Sequence, residues 1–377
     1  MTEPQEHHDV VVVGGGIIGL AVAWRARARG LSVSVVDRGP MGEGASHVAA
    51  GMLAPVTEAD AGERALLELG LRSAHAWPGF AAELRDATGM DVGLRRCGTL
   101  VVARDRDEAE ALERERELRA RLGLAVERVL PSAARRLEPA LAPTLRLALD
   151  VPDDHAVDPR LACLALARAA ADAGAVLRPE TPVAAVEPGA GVTLADGARV
   201  GADQVVVAAG AWSGELPGIP GDARVPVRPV KGQSLRLRDP AGPGLLERVV
   251  RFEGGYLVPR GDGRYVLGAT VEERGFDTAM TALGVHDLLR DAAELVPGVL
   301  ELELEELVAG LRPGTPDNAP VIGRSPAVDG LVWATGHFRN GVLLAPVTAE
   351  LVAATLGDEE IDHGFGPDRF ATTGAAA

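Results

Sequence analysis

The stretch that decides the fold is residues 10–37, VVVVGGGIIGLAVAWRARARGLSVSVVD. Its β-branched run at 10–13 predicts a buried strand, and the three glycines that follow predict a tight turn. Residues 17–30 are typical of a helix, and residues 31–36 predict a second buried strand. Strand, helix and strand in this order form a βαβ unit, so the chain is predicted to begin with the first unit of an α/β fold.

The turn in this unit carries a dinucleotide-binding pattern. Gly14-x-Gly16-x-x-Gly19 lies between the strand and the helix, and Asp37 ends the next strand 18 residues after Gly19. Glycines there allow the backbone to approach a pyrophosphate, whose charge the N-terminus of the helix stabilises. A carboxylate at the position of Asp37 accepts hydrogen bonds from ribose hydroxyls and disfavours a 2′-phosphate. The pattern alone leaves NAD and FAD open.

Length and composition are those of a globular protein with two domains, or a third small one. The chain has 377 residues, 47% of them apolar and 24% charged, and a formal net charge of −16. This excess of acid argues against a surface for nucleic acid or anionic lipid, because both need clustered cations. The polar N-terminus lacks a targeting signal, and the longest nearly apolar run, residues 10–24, is too short to span a membrane. We therefore expect a soluble cytoplasmic protein without stable membrane association.

The cysteines and histidines predict neither a disulfide framework nor a metal site. Cys97 and Cys163 are too few for such a framework, and both are expected to be small core residues. His47 and His337 are not placed as a metal-binding pair. Lys231 is the only lysine, and its position in a predicted strand favours a structural role. No metal is expected.

Beyond residue 37, helices alternate with strand-rich segments. A helix is predicted over 59–89, broken near Pro78, and further helices over 105–122, 158–174, 284–295 and 341–356. Strands are predicted to dominate residues 183–208 and 225–270. Because no linker separates these segments, the second domain is predicted to be inserted into the first. The small and polar residues beyond Gly366 predict a mobile tail.

Seven motifs resemble the glycine oxidase family of thiamine biosynthesis, in the flavin-dependent D-amino-acid oxidase and sarcosine oxidase superfamily. They are GGGIIG at 14–19, AAGMLAP at 49–55, AAGAWSG at 208–214, PVKGQ at 229–233, GGYLVPR with LGAT at 254–270, AGLRPGTPDNAPVIG at 309–323 and GHFRNGVLLAP at 336–346. The resemblance covers nearly the whole chain. It implies a doubly wound FAD-binding domain, discontinuous in sequence, with an inserted antiparallel β-sheet substrate domain that closes over the flavin.

The predicted fold class is α/β, or α+β if each of the two domains is classed separately. The resemblance also implies where the boundaries between the two domains lie in the sequence. The FAD-binding domain is expected at residues 1–90, 151–217 and 313–365, and the substrate-binding domain at 91–150 and 218–312. The mobile tail is expected at 366–377.

The resemblance implies a set of residues that hold FAD without a covalent bond. They are Gly14, Gly16, Ile17, Ile18, Gly19, Asp37, Arg38, Ala45, Ser46, Ala50, Gly51, Met52, Val183 and Gly210, with His337, Phe338, Arg339, Asn340, Gly341, Val342 and Leu343 forming the loop beneath the flavin ring. Neither cysteine lies in a motif where relatives attach flavin. A covalent bond from His47 to the flavin would overturn this expectation.

The resemblance also implies the substrate site. Arg312 and Arg339 fall on positions that contact the substrate carboxylate, Tyr256 lies near it, and Met52 lines the site. Hydride transfer from an α-amino acid needs a firmly oriented carboxylate, which a guanidinium binds in a bidentate manner. Arg312, Tyr256 and Arg339 are therefore the expected catalytic residues. Gly254-Gly255 stands where relatives often carry larger side chains, so we expect a roomier site that puts a strict preference for glycine in doubt.

The expected activity is FAD-dependent oxidation of glycine by oxygen to glyoxylate, ammonia and hydrogen peroxide. Sarcosine and small D-amino acids are expected side substrates, and the glycine imine is expected to feed thiazole formation. The N-terminus of the helix from Gly341 would stabilise the negative charge of reduced flavin. Three alternatives stay open: a D-amino-acid dehydrogenase with a quinone acceptor, a tRNA-modifying FAD oxidoreductase, and a non-catalytic FAD-binding protein. The family implies a homotetramer.

Overall fold

The computed structural model describes residues 6–359 and 361–370 and combines two large sheets with helices. In chain order the strands are β1 (His7–Val13), β2 (Val33–Val36), β3 (Met52–Leu53), β4 (Thr99–Ala103), β5 (Glu127–Val129), β6 (Leu147–Val151), β7 (His155–Ala156), β8 (Val176–Arg178), β9 (Val183–Glu187), β10 (Gly191–Leu194), β11 (Arg199–Val207), β12 (Arg228–Arg238), β13 (Val249–Phe252), β14 (Gly255–Pro259), β15 (Arg264–Gly268), β16 (Glu303–Gly314), β17 (Val321–Arg324) and β18 (Leu331–Thr335).

The helices lie between these strands, as the βαβ pattern predicts. They are α1 (Ile17–Ala28), α2 (Ala45–Val48), α3 (Arg64–Thr88), α4 (Arg106–Arg121), α5 (Pro131–Leu137), α6 (Pro159–Asp172), α7 (Ala282–Leu295) and α8 (Gly341–Leu356). Short 3-10 turns at Gly210–Glu215 and Phe338–Asn340 connect strands to the segments that follow. Across residues 6–359 and 361–370, no helix has both the length and the apolar character needed to cross a bilayer.

The first large sheet grows from the βαβ unit. Its strand order is β17-β18-β11-β1-β2-β8, parallel from β18 to β8, with β17 antiparallel at the edge. Strands β9 and β10 form a hairpin that joins β11. Helices α1, α3, α6 and α8 pack together against it. Residues 10–13 are fully or almost fully buried, as expected for a parallel strand covered on both faces. The predicted α/β class is confirmed.

The second large sheet has the order β16-β12-β15-β14-β13-β4-β6-β5. Its pairs are antiparallel except for β13 with β4, which run parallel. Helix α7 covers one face and buries a leucine-rich core that includes Leu100, Leu235, Leu257 and Leu267. The inserted sheet is therefore antiparallel, as predicted, apart from this one pair.

The prediction that a helix breaks near Pro78 is wrong, because α3 runs without interruption from Arg64 to Thr88. The local cost of a proline inside a helix is about 3 kcal/mol. Trp77 and Phe80 beside Pro78 are almost completely buried and meet edge to face, with ring centroids 5.5 Å apart. Ser73 and Trp77 also donate hydrogen bonds of 2.7 and 2.9 Å to the carbonyl of Leu343 in α8. This packing against α8 offsets the penalty at Pro78.

The predicted mobile tail over 366–377 lies only partly within the described residues. Residues Pro367–Phe370 form a 3-10 turn, and Arg369 donates to the Asp317 carboxylate at 2.8 Å and to the Ala319 carbonyl at 3.0 Å. Residues 371–377 lie outside the described part. The domain boundaries drawn from the sequence stay a prediction.

Replacing Trp77 with Phe should lower the free energy of unfolding by about 1–2 kcal/mol, because a buried side chain shrinks and the bond to the Leu343 carbonyl is lost. Denaturant unfolding measures this change. His75→Ala, on the exposed face of the same helix, is the matched control and should stay within about 0.5 kcal/mol of the wild type. Equal midpoints for Trp77→Phe and the wild type would contradict the packing argument.

Candidate active site

One cavity of about 630 Å³ is lined by residues from both large sheets. Its wall includes the β1–α1 turn, residues 43–54, the turn after β11, parts of β14 and β16, and residues 337–342. A cavity of this size at the carboxyl ends of parallel strands is where open α/β sheets bind their ligands.

The β1–α1 turn brings backbone close to whatever occupies this cavity. Gly14 has φ of +116°, and a Cβ there would lie 2.3 Å from the carbonyl oxygen of Ala208. Any side chain at this position therefore displaces either the turn or β11. Gly16 caps α1 without a side-chain hydrogen bond, and the first turn of the helix holds no acidic residue. The Ile17 N–H donates to the Ser46 hydroxyl at 3.0 Å, and the positive end of the helix can stabilise an anion such as a pyrophosphate.

Asp37 lies at the end of β2, beside the same turn. Its carboxylate accepts hydrogen bonds from the backbone N–H groups of Gly15 at 2.6 Å and Gly39 at 2.8 Å. These bonds fix the side chain in the cavity wall, where it can accept from ribose hydroxyls. The guanidinium of the next residue, Arg38, lies 3.7 Å from the ring centroid of Trp212. Asp37 and Arg38 therefore both line the cavity beside this turn.

A second helix N-terminus also lines the cavity. Helix α8 begins at Gly341 after the 3-10 turn Phe338–Asn340, and Asn340 provides no side-chain cap. Its first turn contains no acidic residue, and most of the helix is buried. Its positive end can stabilise negative charge on a bound ring. Two helix N-termini, an acid and a glycine turn together fit a dinucleotide cofactor.

His337, in the loop before α8, is not a candidate base. Its ring is buried, and Nε2 lies 2.9 Å from the Thr348 hydroxyl. Burial lowers the pKa of His337 from 6.5 to about 3. The imidazole is therefore neutral at physiological pH, which agrees with a packing role near the cofactor rather than proton transfer.

Arg312 lies on β16 and lines the cavity. Its Nη1 donates to the backbone carbonyls of Thr270 at 3.1 Å and Lys231 at 3.4 Å. Among the residues that the structure describes, no carboxylate lies within ion-pair distance of this guanidinium. The cavity therefore presents a positive charge that is oriented but not neutralised, as a carboxylate-binding site requires.

Tyr256 lies on β14 in the same wall. Burial raises the pKa of its hydroxyl, and the positive charge of Arg312 opposes that shift. The hydroxyl is protonated at physiological pH and can donate to a carboxylate held by Arg312. Tyr256 and Arg312 thus lie close together in the cavity wall, which Met52 also lines.

Arg339 also reaches the cavity, but the structure gives it a protein partner. Its Nε lies 3.3 Å from Oε2 of Glu58, and the other carboxylate oxygen of Glu58 accepts from Arg251. Sequence reasoning missed both Glu58 and Arg251, which line the cavity. A signal for Arg251 existed in the β13–β14 hairpin, whose register places it opposite Tyr256. Glu58 lies three residues beyond the AAGMLAP motif and carries no signal of its own.

Most predicted cofactor residues line the cavity, and two do not. Those on its wall are Gly14, Gly16, Ile17, Ile18, Asp37, Arg38, Ala45, Ser46, Ala50, Gly51, Met52, Val183, Gly210, His337, Phe338, Arg339, Asn340, Gly341 and Val342. Gly19 lies behind the turn, where a Cβ would be 1.9 Å from the carbonyl oxygen of Gly14. Leu343 is buried against α3. Both support the cavity wall from behind.

Replacing Gly14 with Ala should abolish binding of the dinucleotide cofactor, because the added Cβ would overlap the Ala208 carbonyl and strain a positive φ. Cofactor content of the purified protein, read from its absorbance, measures this. Gly79→Ala adds the same methyl group where no atom lies within 4 Å and serves as the matched control. Full cofactor content in Gly14→Ala would contradict the assignment of this turn.

Stability should fall in acid because of His337. Its pKa is about 3 when folded against 6.5 for the free group, so between these values only the unfolded chain takes up the proton. The contribution is complete above pH 6.5 and decreases as the pH falls. From pH 7 to pH 5 the wild type should lose about 2 kcal/mol relative to His337→Asn. Denaturant unfolding at both pH values measures this, with His286→Asn on α7 as control. A constant difference would contradict the neutral state of His337.

Comparison with known proteins agrees with this cavity. The pattern of the FAD dependent oxidoreductase family matches residues 9–355. The glycine oxidase of Geobacillus kaustophilus is 37% identical over 363 residues, which cover 96% of either chain. Its crystal structure matches with a TM-score of 0.89 and 36% identity, covering 99% of this chain and 100% of that one.

A further relative combines two proteins in one chain. The bifunctional protein ThiO/ThiG of a Synechocystis species is 36% identical over 380 residues, which cover 98% of this chain and 55% of the longer relative. The predicted resemblance is thereby confirmed, and FAD is the dinucleotide that the cavity holds. From its first strand to its last helix, the chain belongs to the FAD-dependent oxidoreductase family that includes the glycine oxidases.

Proposed function

We propose that this protein oxidises glycine with oxygen as the electron acceptor and releases glyoxylate, ammonia and hydrogen peroxide. The observation that carries the proposal is the guanidinium of Arg312, which lines the cavity with backbone carbonyls as its partners. A small amino acid supplies the carboxylate that this charge lacks. The relatives named glycine oxidase support glycine as that amino acid.

The chain contributes orientation rather than acid–base chemistry. Bound FAD would supply the two-electron acceptor for a hydride from the substrate Cα, with oxygen as the final oxidant. Arg312 binds the substrate carboxylate, and the Tyr256 hydroxyl donates to the same group, so that rotation of the substrate is restricted. The amine must be neutral when the hydride leaves, and no proton acceptor is required from His337. The N-terminus of α8 stabilises negative charge that develops at the cofactor.

Small residues of the cavity wall determine which substrates fit. Ala54, Gly254, Gly255 and Ala269 line it together with Met52. These side chains leave room for a substituent on the amine or on Cα, so sarcosine and D-alanine are proposed as side substrates. Arg339 is proposed as a second contact to the carboxylate, because it reaches the same cavity while its pair with Glu58 is partly exposed.

FAD is proposed to be held without a covalent bond. Within the described chain, neither Cys97 nor Cys163 lines the cavity, and the side chain of His47 points elsewhere. His337 does line it, but its Nε2 is engaged with Thr348. Acid precipitation that leaves the yellow colour on the protein would overturn this part of the proposal.

The wider setting is proposed from the family. We infer that the two large sheets are the cores of the FAD-binding and substrate-binding domains at the predicted boundaries. A cytoplasmic homotetramer without a nucleic-acid partner is proposed, and so is delivery of the glycine imine to thiazole formation. The relative that joins ThiO to ThiG in one chain supports the last of these.

Replacing Arg312 with Ala should lower kcat/KM for glycine on the order of 10²–10³-fold, because the carboxylate loses the group that orients it. Peroxide formation and glyoxylate release measure this, and FAD content should not change. Arg168→Ala removes an exposed guanidinium from α6 and should leave the kinetics unaltered. Wild-type kinetics in Arg312→Ala would remove the basis of the proposal.

A further inference from the structure

The only lysine of the chain is buried beneath the active site. Lys231 lies on β12, its side chain is 1% exposed, and its Nζ lies 2.7 Å from the Asp277 carboxylate. Enclosing an ammonium is costly unless a partner compensates, and an apolar side chain of similar length fills such a space without that cost. A buried charge at Lys231 therefore points to a role for its ion pair with Asp277.

Asp277 belongs to the segment between β15 and α7, residues 269–281, which we call the strap. The strap is fastened to β12 at several points. Lys231 and Glu272 exchange backbone hydrogen bonds of 2.9 and 3.0 Å. The Gln233 side chain donates to the Glu272 carboxylate at 2.7 Å and accepts from the backbone N–H of Thr281 at 2.8 Å. The Lys231–Asp277 ion pair fixes the part of the strap between these contacts.

The strap reaches the substrate clamp directly. Ala269 and Val271 line the cavity, and the carbonyl of Thr270 accepts the 3.1 Å hydrogen bond from Arg312 Nη1. The guanidinium also lies flat against the backbone of β12, since a Cβ on Gly232 would be 2.4 Å from Nη1 of Arg312. Both groups that orient Arg312 are therefore linked to Lys231. Gly232 is its neighbour in sequence, and Thr270 belongs to the strap that Lys231 holds through Asp277.

The middle of the strap contacts the cofactor wall. Phe276, the neighbour of Asp277, stacks on Trp212 with ring centroids 5.6 Å apart and an interplanar angle of 29°. Trp212 in turn lies under the guanidinium of Arg38. Displacement of the strap at Asp277 would thus disturb both the Thr270 contact to Arg312 and the Phe276 contact to Trp212.

We propose that Lys231 is a positioning residue, whose ion pair with Asp277 holds the strap so that the Thr270 carbonyl orients Arg312 toward the substrate carboxylate. The proposal rests on the proposed function in that Arg312 binds a carboxylate. It assigns Lys231 no contact with substrate or cofactor. Loss of the pair loosens the guanidinium, so carboxylate binding weakens more than the chemical step.

The test is a double-mutant cycle in the FAD-loaded enzyme with Lys231→Met, Asp277→Asn and the double variant. Acetate, titrated against the flavin spectrum, reports carboxylate binding without turnover. Each single variant should raise the Kd of acetate and the KM of glycine about tenfold, with a smaller fall in kcat, and the double variant should match the singles. Lys231→Arg should restore most of the affinity. Arg106→Met, which removes an exposed ion pair on α4, is the control.

Several results would overturn the proposal. Wild-type acetate affinity in Lys231→Met, effects that add in the double variant, or lower thermal stability with unchanged acetate binding would each do so. If Lys231→Met does not fold, Asp277→Asn alone decides, because its side chain is about half exposed. A wild-type enzyme that binds acetate through Arg312 but does not oxidise glycine would refute the proposed substrate and leave this test intact. Absence of acetate binding to the wild type would overturn the positioning role.

Discussion

The site depends on an arginine that the fold orients but does not neutralise. In the described chain, Arg312 donates to backbone carbonyls of Lys231 and Thr270 and has no carboxylate partner. The residue is half-buried in the cavity wall, and carbonyl dipoles compensate only part of the charge of its guanidinium. In the proposed function an incoming carboxylate completes the pair, so part of the free energy of substrate binding would come from a charge that folding left uncompensated. The rigid sheet and the strap keep that charge in one orientation until a substrate arrives.

The cavity is far less acidic than the chain as a whole. The net charge is −16, whereas the guanidinium groups of the cavity wall balance its carboxylates, and the N-termini of α1 and α8 add positive dipole ends. Surface charges more than about 8–10 Å away are largely screened at physiological ionic strength. Local groups therefore govern which molecules bind, and the helix N-termini and the unpaired Arg312 favour the anionic dinucleotide and the small carboxylate of the proposed function. The overall acidity bears only on partners of the outer surface.

Local patterns were sufficient for most of the fold, whereas the pairing of charges at the site was not. Local sequence determines some elements almost completely. The strand before Gly14 and the helix over 341–356 are of this kind, so both could be predicted closely. The unbroken helix at Pro78 was missed because its stabilising contacts come from α8. The partner of Arg339 was missed for the same reason, since Glu58 meets it only after the chain has folded. Motifs indicated which residues reach the cavity, and tertiary packing determines which of their charges pair.

The most direct measurement of the central claim is reduction of the bound flavin by glycine without oxygen. The purified yellow protein is mixed anaerobically with glycine while the flavin absorbance band is followed, and air is then admitted. An oriented carboxylate clamp beside FAD predicts rapid bleaching, followed by return of the band with formation of hydrogen peroxide. Bleaching without return in air would contradict oxygen as the acceptor. No bleaching at saturating glycine would contradict the assignment of this cavity to glycine oxidation.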